Sequence, residues 1–151
     1  MAINNFSIHW VLINKIAIGP IPQKLTDFQL LEEYKIKSIL TLCNKEEFNC
    51  NQLIEQNFYF SRVPLPDHRQ SKFPTFQEFI NALDELKKLQ KFKPTFVHCV
   101  ASVERSPLIC LGWLVREEGY SIDLAMDYMM QIHPGTSPLP EQLELVMQLK
   151  N

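Results

Sequence analysis

The segment Thr95-Phe96-Val97-His98 is a run of strand-forming residues that ends directly on Cys99, and Ser106-Pro107 opens an apolar segment shortly after. Pro94 restarts the chain as this strand. Pro107, followed by Leu108, Leu111, Trp113, Leu114 and Val115 as the buried side, predicts a helix from Pro107 with Gly119 as its cap. Strand, short loop and helix in that order force the loop to curl over a helix N-terminus. Unpaired N–H groups and the helix dipole make such a place favourable for an anion.

The rest of the chain gives this unit its surroundings. Trp10 to Gly19 reads as one or two short strands ended by Gly19-Pro20-Ile21-Pro22, and a helix begins near Thr26-Asp27 with Phe28, Leu30, Leu31 and Tyr34 as its apolar side. Ile39-Leu40-Thr41-Leu42 has the composition of a strand buried on both faces. Phe58 to Val63 is a further strand, closed by Pro64-Leu65-Pro66-Asp67. Thr75 and Glu78 form a capping box ahead of Phe76, Phe79, Ile80, Leu83, Leu86 and Leu89 at helical spacing. Helices over 121–133 and 140–150 complete the chain. Alternating strands and helices predict an α/β fold, a central mostly parallel sheet flanked by helices, with ligands bound beyond the carboxyl ends of the strands.

Composition narrows the options. A chain of 151 residues with 46% hydrophobic and 21% charged residues suits a single globular domain over residues 1–151. No internal repeat or linker divides it. A net charge of −2 gives no general attraction to nucleic acid or to an anionic membrane, so neither is expected as a partner. The apolar run Trp10-Val11-Leu12-Ile13 is too short to span a membrane. Cys43, Cys50, Cys99 and Cys110 form no Cys-x-x-Cys pair and no zinc-ligand spacing, so no metal or cofactor is expected. Nothing marks the chain as secreted. The default is a reducing cytoplasm and a monomer, with unpaired cysteines buried or catalytic.

The loop residues fit one chemistry. Cleaving a phosphate monoester needs a nucleophile, neutralisation of the phosphoryl oxygens and a proton for the leaving group. A cysteine attacks as its thiolate. In Cys99-Val100-Ala101-Ser102-Val103-Glu104-Arg105-Ser106, successive backbone amides can face three phosphoryl oxygens, and Arg105 can bind two of them with its planar fork. Ser106 is placed to donate to the sulfur and ease its departure. His98 either orders the loop by hydrogen bonding or is a satisfied strand-end histidine. Asp67, in a loop at the end of another strand, can supply the proton and then activate water.

These residues resemble the protein-tyrosine-phosphatase superfamily, specifically its small dual-specificity branch, whose signature is His-Cys-x-x-Gly-x-x-Arg-Ser/Thr with an acid loop some way upstream. Ile16-Ala17-Ile18-Gly19-Pro20 is similar to the family's first strand and turn, and Tyr34 to Ser38 to the lead into its central strand. The resemblance implies metal-free, two-step hydrolysis through a phosphocysteine. In it Cys99 is the nucleophile, Arg105 the clamp, Asp67 the general acid and base, and Ser106 the aid to thiolate departure.

Two positions depart from the pattern. Ser102 stands where the family has Gly, and a positive φ there strains a serine. Glu104 precedes Arg105, and an outward side chain paired with a neighbouring base is expected. Resemblance to the phosphoinositide-cleaving branch would imply basic residues in the loop, and the lack of Lys or Arg between Cys99 and Arg105 disfavours a lipid substrate. The short chain leaves little room for the deep recognition insert of tyrosine-specific relatives, which implies a shallow pocket taking phosphotyrosine and phosphoserine/threonine of proteins. Arg62, His68, Arg69 and Lys72 form either a basic rim around Asp67 or a solvated charged face. By the resemblance, Cys43 is a candidate redox partner that bridges Cys99, or else a buried strand-end residue; Cys50 and Cys110 read as structural. The alternatives to a protein phosphatase are a phosphate-binding module with little turnover and a phosphatase of a lipid or small metabolite.

Overall fold

The computed structural model describes residues 5–49 and 52–149. A hairpin of β1 (His9–Leu12) and β2 (Ile16–Gly19) leads to α1 (Leu25–Glu33), β3 (Ser38–Thr41), α2 (Gln52–Asn57) and β4 (Tyr59–Arg62). The chain continues through α3 (Phe76–Leu89), β5 (Thr95–His98), α4 (Arg105–Arg116), α5 (Ile122–Ile132) and α6 (Pro140–Gln148). The five strands form one sheet in the order β1-β2-β5-β3-β4, in which only β1 runs antiparallel. The expected mostly parallel sheet flanked by helices is the observed architecture.

The parallel strands follow from their composition. β2, β3 and β5 are buried at every position, and their residues are mostly β-branched, aliphatic or small, with Phe96 and His98 the larger exceptions on β5. Their polar members are paired inward: Ser38 Oγ lies 2.8 Å from Thr95 Oγ1. β4 forms the edge and is only partly covered. Above the sheet, α3 packs on β3 and β4, α4 on β2 and β5, and α5 on β1. α3 starts at the predicted capping box, with Thr75 accepting from the Glu78 amide, and buries Phe79, Ala82, Leu83, Leu86 and Leu89.

Two expectations need correction. α4 begins at Arg105 rather than Pro107, because Glu104 is the cap and its carbonyl accepts from the Leu108 amide at 2.9 Å. Arg105 and Ser106 therefore belong to the first helical turn. Nor is α4 one-sided: every residue from Arg105 to Val115 is buried, as in a helix enclosed by the sheet and by α3, α5 and α6. Gly112 permits that enclosure, since a Cβ there would lie 2.6 Å from the Phe79 ring. The short α2 was not anticipated, and Cys50 lies outside the described residues. Among the described residues no helix is long and apolar enough to cross a membrane.

Because β2, β3, β4 and β5 are parallel, their carboxyl ends, at Gly19, Thr41, Arg62 and His98, all open on the same edge. The segments that follow them converge there. The Leu42 amide donates to the His98 carbonyl at 2.9 Å, Leu65 to Leu42 at 3.0 Å, and Ile21 to Val100 at 3.0 Å.

Candidate active site

Cys99 lies at the end of the central strand, 2% exposed, in a pocket of about 190 Å³ that also receives Asp67, His68, Arg69, Glu104 and Arg105. Val100, Ala101 and Val103 complete its lining. The pocket thus joins the loop after β5 with the loop after β4. Ser106, on the first turn of α4, has its Oγ 3.3 Å from the Cys99 sulfur. Ser102, with φ of 60°, is in the left-handed region that a Cβ disfavours by about 1 kcal/mol.

Arg105 is 3% exposed, and its guanidinium is fully oriented by other residues. Nη1 donates to Glu47 Oε1 at 3.0 Å and to the Leu65 carbonyl at 3.3 Å, and Nη2 donates to Glu47 Oε2 at 2.9 Å. Five N–H groups are available, and these contacts use both on Nη1 and one on Nη2. What remains is Nε–H and one Nη2–H, which lie on a common edge and can take two oxygens of one anion side by side. Burial works against the charge, but the Glu47 hydrogen bonds hold the arginine firmly cationic. Burial likewise opposes ionisation of Glu47, and the Arg105 hydrogen bond outweighs it, holding that carboxyl below its ordinary value.

Asp67 is gripped by its neighbour. Arg69 donates from Nε to Oδ2 at 2.9 Å and from Nη2 to the same oxygen at 2.6 Å, while its amide reaches Oδ1 at 3.1 Å. These hydrogen bonds hold the Asp67 carboxyl down at about 2. His68 Nδ1 lies 2.6 Å from Glu104 Oε1. Glu104 does pair with a base, as expected, but it is 9% exposed rather than outward-facing, and Gln142 Nε2 approaches the same oxygen at 3.4 Å. Asp67, His68 and Glu104 offer ligand atoms within 4.8 Å of one another, the one group among the described residues composed to hold a metal ion. Arg69 and the His68–Glu104 bond already occupy those atoms.

His98 is fully buried and donates from Nδ1 to the Cys99 carbonyl at 2.9 Å, which leaves its Nε2 bare and without a partner. Burial drives its pKa down to about 4, so the imidazole is neutral. The basic rim is smaller than the sequence suggested: Arg62 turns inward to donate to the Cys43 and Phe48 carbonyls at 2.8 and 2.7 Å. Lys72 lines a neighbouring cavity with Glu47 and Asp67. Cys43, Cys99 and Cys110 are all free and buried. Burial, followed by the Glu47 charge, pushes the Cys43 thiol up to about 12, and burial raises Cys110 as well.

Glu47, Gln142, His9 and His133 are the site residues that sequence reasoning missed. Glu47 carried one usable signal, its place just after a parallel strand whose carboxyl end opens on the site. His133 follows α5, and its loop touches the Cys99–Ser106 loop again where the Ser137 amide donates to the Val103 carbonyl at 2.8 Å.

Comparison with known proteins agrees with this geometry. A family profile described as "Dual specificity phosphatase, catalytic domain" matches residues 22–151. The chain is 28% identical over 129 residues to dual specificity protein phosphatase 2 of Mus musculus, covering 82% of this chain and 39% of that protein. It thus spans well under half the length of the curated relatives it matches. Among solved structures, the active form of Tk-PTP superposes with a TM-score of 0.81 at 18% identity, covering 95% of this chain and 96% of that one. PTPMT1 in complex with PI(5)P superposes at 0.79 with 20% identity, covering 94% and 93%. The chain belongs to the dual-specificity phosphatase catalytic-domain family.

Proposed function

We propose that residues 1–151 act as one catalytic domain that hydrolyses phosphate monoesters through a phosphocysteine on Cys99. The observation that carries this reading is the shared pocket: a cysteine sulfur, an oriented arginine edge and a carboxyl line one small cavity at the carboxyl end of the central strand. A phosphoryl group seated there lies over the N-terminus of α4. The backbone amides of the Val100–Glu104 loop and the free edge of Arg105 take its non-bridging oxygens. The Cys99 thiolate attacks phosphorus in line, forming the S–P bond as the P–O bond to the leaving group breaks. Asp67 delivers its proton to that oxygen. Water then attacks the phosphocysteine, Asp67 takes a proton from the water, and phosphate leaves. Ser106 Oγ–H stabilises the returning thiolate.

Asp67 has to be protonated for the first step, yet the Arg69 hydrogen bonds favour its ionised form. A dianionic phosphoryl group arriving beside it is a like charge, which raises the carboxyl pKa at the moment an acid is required.

We take the substrate to be phosphotyrosine and phosphoserine/threonine of proteins, with the cytoplasm as the place of action. Two features support the substrate reading: a pocket of only about 190 Å³ and a loop without Lys or Arg between Cys99 and Arg105. The PTPMT1 complex with PI(5)P favours a second reading, an inositol lipid substrate on the same fold. Competition between phosphopeptides and soluble phosphoinositides for one aryl phosphate assay separates the two. The mechanism itself is tested by vanadate-sensitive hydrolysis of p-nitrophenyl phosphate. Loss of turnover in Cys99→Ser and a drop of about a hundredfold in Asp67→Ala are expected. Full activity in Cys99→Ser overturns the reading.

A further inference from the structure

A line of hydrogen bonds runs from the sheet edge to the candidate nucleophile, beginning at two histidines, His9 and His133, to which the proposed reaction gives no role. His9 Nδ1 lies 2.7 Å from His133 Nδ1. His133 Nε2 lies 2.7 Å from the Ser102 carbonyl and 3.1 Å from Ser102 Oγ. Ser102 Oγ lies 2.9 Å from Ser106 Oγ, which lies 3.3 Å from the Cys99 sulfur. His133, Ser102, Ser106 and Cys99 are all buried.

The chemistry of the partners fixes the direction of each bond. A carbonyl only accepts, so His133 carries its proton on Nε2 and donates to Ser102. Neutral His133 then has a bare Nδ1, which accepts from His9 Nδ1–H. Burial favours that neutral form. A thiolate also only accepts, so Ser106 must donate to the sulfur. The Ser106 oxygen is then free to accept from Ser102 Oγ–H. Every donor in the line points toward Cys99.

We propose that His133 is a positioning residue for Cys99: it holds Ser102 in its left-handed conformation and thereby fixes the Ser106 hydroxyl as a donor to the sulfur. A serine at φ of 60° needs such a hold, whereas a glycine would rest there unaided. His133 grips both the carbonyl and the hydroxyl of Ser102, so neither the peptide nor the side chain can turn. Without it Ser102 Oγ is free to rotate, and Ser106 loses the partner that commits its proton to the sulfur. The step most exposed to that loss is breakdown of the phosphocysteine, in which sulfur departs as an anion.

This inference rests on the phosphocysteine reading for its kinetic arm and on Cys99 alone for a second arm. In the kinetic arm, His133→Ala lowers kcat for p-nitrophenyl phosphate about tenfold, the size of one hydrogen bond. Its kcat/KM falls by less than kcat does, and a pre-steady-state burst of nitrophenol appears. In a Ser102→Gly background the same substitution changes kcat less than about twofold, because the glycine no longer needs holding. Equal loss of kcat and kcat/KM, or an undiminished loss in the glycine background, overturns the proposal. His133→Gln, which keeps a donor near the Nε2 position, is the variant to read if the alanine chain does not fold. It retains kcat within about twofold, and a tenfold loss there also overturns the proposal.

The second arm needs no turnover. The rate of Cys99 alkylation by iodoacetamide, resolved by peptide mass spectrometry, falls several-fold at pH 6 from wild type to His133→Ala, and does not fall further from Ser102→Gly to His133→Ala/Ser102→Gly. If the wild-type chain lacks phosphatase activity but follows this pattern, the hydrolytic reading fails and the positioning role stands. If it turns over and alkylation is the same in all variants, the positioning role fails alone.

Discussion

Glu104 Oε1 lies 2.6 Å from His68 Nδ1, so the residue before the loop's arginine grips the residue after the candidate acid. The contact spans the mouth of the pocket and joins the loop after β5 to the loop after β4. It gives Glu104 a use beside an anion site. The carboxylate is held on His68, with Gln142 behind it.

Cutting this tie loosens Asp67 relative to Cys99. His68→Ala and Glu104→Ala are each expected to lower kcat about tenfold on an alkyl phosphate, whose leaving group needs a proton. On an aryl phosphate, which needs it less, the drop is under about threefold. The double variant is no worse than either single one, because both remove the same contact. Steady-state kinetics with the two substrates check both statements.

Arg69 sets the charge of Asp67, the proposed acid. Its hydrogen bonds hold the Asp67 carboxyl at about 2, and an acid catalyst loses its proton as pH rises through its pKa. Arg69→Met removes the hold and raises that pKa. The alkaline limb of kcat is expected to move up by about one pH unit. A pH–rate profile of the variant against wild type reads the shift.

Glu47 braces Arg105, the proposed anion clamp. Glu47→Ala leaves the buried Arg105 charge without its bidentate partner, an arrangement that costs about 3 kcal/mol. The melting temperature falls accordingly. Vanadate binds about tenfold more weakly, since the guanidinium is free to turn its open edge away from the pocket. Calorimetric melting and an inhibition assay separate the two effects.

His98 makes the fold sensitive to acid. Its folded pKa of about 4 lies below the ordinary histidine value, so between about pH 6.5 and pH 4 the unfolded chain takes up a proton that the folded chain refuses. Stability is complete above that window and is lost as pH falls through it, by about 3 kcal/mol in total. His98→Asn keeps a donor near Nδ1 and removes the titration. Urea unfolding at pH 7.5, 5.5 and 4.5 is expected to show a flatter profile for the variant than for wild type.

What was legible in the sequence was contiguous. The buried strands announced themselves by composition between prolines, and α3 by its Thr75–Glu78 box. The start of α4 is not legible locally, because Pro107 suits the first helical position, yet the chain enters the helix at Arg105 and Pro107 still sits in its first turn. α2 is six residues long, too short for a 3.6-residue period to show. The loop from Cys99 to Ser106 was readable as a unit. Its supports were not: Glu47 meets Arg105 across 58 residues, His133 meets Ser102 across 31, and His9 meets His133 across 124. Such pairs depend on the fold bringing them together, and no local pattern encodes them.

The left-handed backbone of Ser102 has a consequence for protein engineering. With glycine at that position, the loop's shape would belong to the loop, and the segment from His98 to Ser106 would be a portable cassette. With serine there, the shape is on loan from a histidine beyond α5 and, behind it, from the first strand of the sheet. Grafted into another scaffold, the nine residues would keep their chemistry and lose their geometry. A successful transplant has to carry His133 and His9 with it or restore the glycine.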